Sequence, residues 1–171
     1  MSQPASSRTS SDRDIFARLR EDHEKHRDLL ARLAATRDGT AERSELFEEF
    51  TLEVKSHAAA EEQALYSTMM RKPATTDEVR HSVAEHHEIE ELLNDMAATD
   101  PASGEWMDKF SKLDHDYRHH IDEEENEHFK DFEKFLTDED REHMRAVFDR
   151  RKRAEKADAE VTPEKLEDAK E

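Results

Sequence analysis

From Asp14 onward apolar residues recur at intervals of three and four, the period of one face of a helix. Phe16, Leu19, Leu30 and Leu33 mark a first stripe, which Arg37-Asp38-Gly39 stops. Leu46, Phe50, Val54 and Leu65 mark a second, running to about Met70, where Arg71-Lys72-Pro73 supplies cations and a helix-breaking ring. Thr76 is suited to cap a third helix, with Asp77 and Glu78 in its first turn, Val79, Val83 and Leu93 on one face, and Asp100-Pro101 closing it. A fourth begins near Ser103, carries Phe110, Leu113 and Tyr117, and continues toward Phe129, Phe132 and Phe135. Thr137, followed by Asp138, Glu139 and Asp140, opens a shorter fifth with Met144, Val147 and Phe148. The pattern predicts an all-α chain in four parts. Residues 1–11 form a disordered leader, 12–136 an up-down-up-down four-helix bundle, 137–150 an additional helix, and 151–171 a charged tail that is frayed helix or disorder.

Each of the four main stripes is interrupted by ionisable residues where an apolar one should continue. The first reads Phe16, Leu19, His23, His26, Leu30, Leu33; the second Leu46, Phe50, Val54, His57, Glu61, Leu65. The third reads Val79, Val83, His86, Glu90, Leu93, and the fourth Phe110, Leu113, Tyr117, His120, Glu124. An unpaired buried carboxylate costs several kcal/mol or more, so three of them in one small core require a compensating cation. The four histidines are separated by 34, 29 and 34 residues. Each gap fits two half-helices and a turn, which sets all four at one height in an antiparallel bundle. A His and a Glu four apart share a face, so each pair can serve two neighbouring ions.

His-x-x-x-Glu alone says little in so acidic a chain, where about two matches arise by chance; six occur. His81/Glu85, His87/Glu91 and His119/Glu123 fall off the stripes and read as solvated-face residues. His26 stands between ligand and core histidine, and His115, His128 and His143 have no evident partner. A ferritin-type site would need Glu-x-x-His on two helices with both residues on the core stripes, and Glu125/His128 falls off the main stripe.

Composition narrows the classes. In 171 residues, 42% charged and 33% hydrophobic with two glycines, there is apolar material for one narrow helical core and little provision for hairpins. The formal net charge of −18 opposes binding to nucleic acid or anionic membrane. The absence of cysteine excludes disulfides, thiolate metal sites and cysteine nucleophiles. The Ser-rich start has no apolar segment of a secretory signal, so a cytoplasmic location is expected.

His23 in the context Glu-Asp-His, His57-x-x-x-Glu61-Glu62, Glu85-His86 and His120-x-x-x-Glu124-Glu125 together resemble the hemerythrin-like cation-binding domain over roughly residues 12 to 136. The resemblance implies a non-haem di-iron centre of two Fe ions, with terminal histidines His23, His57, His86 and His120 and with Glu61 and Glu124 bridging. It further implies O2, H2O2 or another small diatomic molecule as partner, with oxygen binding, catalase-like or peroxidase-like turnover, or iron and redox sensing without turnover. A structural bundle holding zinc uses the same donors and is the bland alternative. Where oxygen-carrying members place a second histidine in helix three, this chain has Glu90. As a ligand, Glu90 would make the site more anionic and favour the ferric state. Glu125 competes with Glu124, because the helix-four bridging acid of the carriers lies five residues after its histidine.

Overall fold

The computed structural model describes residues 13–159, and every element among them is helical. The main helices are α1 (Ile15–Ala34), α2 (Ala41–Glu61), α3 (Thr76–Ala97), α4 (Gly104–Glu123) and α5 (Asp138–Ala159). No helix among the described residues is long and apolar enough to cross a membrane. The expected leader 1–11 and the end of the expected tail, 160–171, lie outside the described residues.

Local chemistry explains most of the boundaries. Asp14, Thr40 and Ser103 accept hydrogen bonds from the backbone N–H groups of Phe16, Arg43 and Trp106, satisfying donors that a helix start leaves free. At α5, Thr137 Oγ1 accepts from Asp140 N at 3.1 Å while Asp140 Oδ2 accepts from Thr137 N at 2.9 Å. Thr76 is not the cap expected of it. Thr75 and Thr76 turn their hydroxyls back onto the carbonyls of Met69, Met70 and Lys72, closing the end of the preceding helix instead.

Two departures from the simple α-helix were not foreseen. Immediately after Glu61, α2 widens into a π-helical segment (Glu62–Tyr66), followed by a last turn (Ser67–Met69). Immediately after Glu123, α4 does the same (Glu124–His128) before resuming as Phe129–Glu133. Such segments insert an extra residue per turn and concentrate at functional sites. The fourth stripe stops where the helix does: Phe129 and Phe132 are fully buried, whereas Phe135, expected on that stripe, lies past the last helical residue, Glu133, and is 42% exposed.

The apolar core is split in two. One cluster holds Leu30, Leu33, Phe50, Leu93, Phe110 and Leu113; the other holds Phe16, Leu19, Leu65, Val79, Phe129 and Phe148. Along α1 to α4 the residues between the two clusters are the histidines and glutamates of the interrupted stripes. The helix α5 packs chiefly on α2 and α1. It continues nine residues past the boundary expected at Arg150, to Ala159, because Lys152 is buried against acids of α1 and α2 rather than solvated.

Candidate metal centre

His23, His57, His86 and His120, one from each of α1 to α4, converge with Glu61 and Glu124 in the layer between the two cores. Glu61 Oε2 lies 3.7 Å from His57 Nε2, and Glu61 Oε1 lies 3.2 Å from His86 Nε2. Glu124 Oε2 lies 3.3 Å from His23 Nε2, and Glu124 Oε1 lies 3.2 Å from His120 Nε2. Each carboxylate thus divides its two oxygens between two histidines. Two overlapping groups result: His23, His57 and Glu61 on one side, and Glu61, His86, His120 and Glu124 on the other.

The layer is dry and short of hydrogen bonds. Glu61 is 0% and Glu124 1% exposed, yet both oxygens of Glu61, Oε2 of Glu124 and Nε2 of His23 have no hydrogen-bond partner. Orphaned buried groups of this polarity are costly, and native interiors avoid them. Nitrogen and oxygen ligands of one ion at about 2.1 Å lie roughly 3 Å apart when adjacent, close to the spacing found here. The donor set, imidazole and carboxylate without thiolate, suits iron, manganese or zinc. The residues present therefore fit a bound metal cation.

A second layer of carboxylates holds the outer face of every histidine. Asp22 of α1 meets His57 Nδ1 at 2.8 Å, and Glu62, just past α2, meets His86 Nδ1 at 3.2 Å. Glu85 of α3 meets His120 Nδ1 at 3.4 Å, and Glu125, just past α4, meets His23 Nδ1 at 2.9 Å. A carboxylate on Nδ1 fixes the tautomer that leaves Nε2 free for a metal and raises its basicity. Of the two neighbouring acids, Glu124 faces inward and Glu125 backs His23. Asp22, Glu62 and Glu85 were missed as supports, although each is the sequence neighbour of a predicted ligand.

Charge follows the contacts. Burial opposes ionisation of His23, His86 and His120, but their facing glutamates outweigh it and raise them to about 9, 9 and 10. Burial pushes Glu124 up, yet His120 and His23 hold it well below the usual carboxylate range. Tyr66, from the first π segment, donates its hydroxyl to Glu124 Oε1 and stacks on the His86 ring.

The fifth helix reaches this outer layer. Lys152 Nζ lies 2.9 Å from both oxygens of Asp22 and 3.0 Å from Glu53 Oε2, and Phe148 packs edge-on against the His57 ring. His26 is fully buried but stands outside the inner cluster, grouped with Asp22 and the outer side of His57. Its Nδ1 is hydrogen-bonded to Tyr117 Oη at 2.6 Å.

Glu90 is not brought to the cluster. The buried face of α3 runs through Val79, Ser82, His86, Ile89, Leu93 and Met96, so the stripe passes through Ile89 and turns Glu90 outward. The reading of Glu90 as a ligand is corrected by that one-residue rotation. Glu90 instead lines a cavity of about 440 Å³, together with His57, Glu62, His86, Leu93 and Tyr117.

A helical protein whose core is interrupted by a closed layer of imidazoles and carboxylates is, as a class, a cation-binding bundle. The hemerythrin HHE cation binding domain family model matches residues 14–132, and the chain belongs to that family. The crystal structure of a hemerythrin HHE cation binding domain-containing protein from Mycobacterium kansasii superposes with a TM-score of 0.75 at 21% identity. The match covers 85% of this chain and 89% of that one, and it bears on the fold alone. No curated protein sequence matches the chain.

Proposed function

We propose that this chain is a non-haem di-iron protein that binds or reacts with O2 or H2O2, its site built across an up-down-up-down bundle with an added fifth helix. The observation that carries the proposal is the division of Glu61 and Glu124 between two pairs of histidines, with their buried oxygens otherwise unsatisfied. His23 and His57 would hold one ion, His86 and His120 the other, and the two glutamates would bridge. When bound, iron supplies the one- and two-electron chemistry that amino-acid side chains lack.

The chain's own contributions are positioning, dryness and access. The outer carboxylates fix each imidazole, and the two apolar clusters keep bulk water from the layer between them. The cavity between α2 and α3 reaches His57 and His86 and is wide enough for a diatomic molecule or peroxide. Tyr117 lines it, and with its hydroxyl held by His26 Nδ1 the pair offers a proton beside the path of an incoming ligand.

The test is metal content and the ultraviolet-visible spectrum of aerobically purified protein, followed by H2O2 decomposition with and without His57→Ala. Two irons per chain and loss of peroxide turnover in the variant, with helicity retained, is the expected result. Zinc alone, or no iron after anaerobic Fe(II) reconstitution, would overturn it. A second reading, iron or redox sensing without turnover, draws on the same orphaned atoms, since a layer this unsatisfied couples metal occupancy to folding. Two bound irons with no peroxide turnover would select that reading.

A further inference from the structure

Outside the interior layer, the side chain of Glu123 is surrounded by histidines. His81 Nε2 lies 3.3 Å from its Oε1, His128 Nε2 3.5 Å from the same oxygen, and His119 Nε2 3.5 Å from its Oε2. Glu85 adds an oxygen 2.9 Å from His81 Nε2. Two groups with ligand spacing share Glu123: His81, Glu85 and Glu123, and Glu123, Glu127 and His128. These residues read from sequence as a solvated face and as a histidine without a partner. The π segment explains the difference, because its wider turn brings His128, five residues on from Glu123, back to the same side of α4.

His128 separates this cluster from ordinary surface charge. It is only 4% exposed, and its Nδ1 is held by the buried Ser82 Oγ at 3.1 Å, which leaves Nε2 directed at Glu123 and Glu127. At 3.5 Å the Nε2 to Glu123 separation is long for a hydrogen bond and compatible with two ligands of one ion. A buried imidazole with one nitrogen fixed and the other aimed at carboxylates repeats the arrangement of each interior histidine. The surroundings also call for positive charge: Asp77, Glu78 and Asp131 line the same depression, and burial together with Asp131 and Glu127 pushes Glu78 up to about 7.

We propose that Glu123, Glu127 and His128, with His81 at the margin, form a second, solvent-accessible metal site that takes a single divalent transition cation such as Zn²⁺ or Fe²⁺. Imidazole with carboxylate favours such an ion over Ca²⁺ or Mg²⁺, which prefer all-oxygen ligands. Glu85 links the site to the interior, since the oxygen that meets His81 Nε2 also meets His120 Nδ1.

The test is equilibrium dialysis against Zn²⁺ with metal counted per chain, comparing wild type, Glu127→Gln, Glu123→Gln and His57→Ala. Glu127 is exposed, so its replacement leaves the fold intact even where the Glu123 variant does not. The expected outcome is roughly tenfold weaker binding of one ion in Glu127→Gln, a loss separate from the one caused by His57→Ala. Shifts of the His81 and His128 ring resonances on Zn²⁺ addition, reached in Glu127→Gln only at about tenfold higher Zn²⁺ than in wild type, locate that ion. Equal counts and affinities in wild type and Glu127→Gln, or no response of the His128 ring, would overturn the proposal.

Discussion

His23, His86 and His120 each turn Nε2 toward an interior glutamate and Nδ1 toward an outer one. Burial disfavours their charged forms, but the facing carboxylates raise them to about 9, 9 and 10, above the value near 6.5 of an unfolded chain. A group whose folded pKa is raised contributes stability that is complete below its unfolded pKa and disappears as pH rises through the folded one. The metal-free protein is therefore expected to lose melting temperature as pH rises from about 7 to about 10, a trend that thermal melts across that window measure directly. At pH 7 these rings must give up protons to bind a cation, so calorimetry in buffers of different ionisation enthalpy should report proton release on loading. A melting temperature flat in pH, with no proton release, would contradict the assigned contacts.

Among the elements, α5 is the one whose importance the amino-acid pattern concealed. Its apolar stripe fades after Phe148, and the residues that follow are dominated by Lys, Arg and Glu, so the pattern of hydrophobicity predicts a helix that stops at Arg150. The structure continues it because Lys152 finds buried acids on two other helices, a pairing between residues 130 and 99 positions apart that no local period contains. Lys152→Ala is expected to destabilise the protein by about 2 kcal/mol, as removal of a buried charge-assisted hydrogen bond does. It should also weaken metal retention by loosening Asp22 behind His57, which chelator competition would measure; unchanged stability and retention would assign Lys152 to the surface. The four stripes, by contrast, were legible, since His23, His57, Glu61, His86, His120 and Glu124 all meet where their spacing put them at one height. Glu90 was misplaced because a helix of 3.6 residues per turn lets a stripe pass through either of two adjacent positions, and only packing selects Ile89. The π segments left no mark in the periodicity, and with them went the pairing of Glu123 with His128.

For the molecule as a whole, the layer of histidines and glutamates sits between two apolar clusters and interrupts what would otherwise be one core. Metal occupancy should then stabilise the folded protein by about 3 kcal/mol at a hundredfold excess over the dissociation constant. Paired thermal melts of iron-loaded and chelated protein measure that gain, and coincident melts would separate the bundle's stability from its metal. The outer carboxylates carry a further consequence, since α1 supplies the one behind the histidine of α2, and the chain just past α2 supplies the one behind that of α3. In turn α3 serves α4, and the chain just past α4 serves α1. This closed circuit makes each helix both holder and held, so sliding any one along its neighbours by a single turn would misalign two histidines at once. The arrangement works as a rotary combination lock, whose four dials line up in one relative setting.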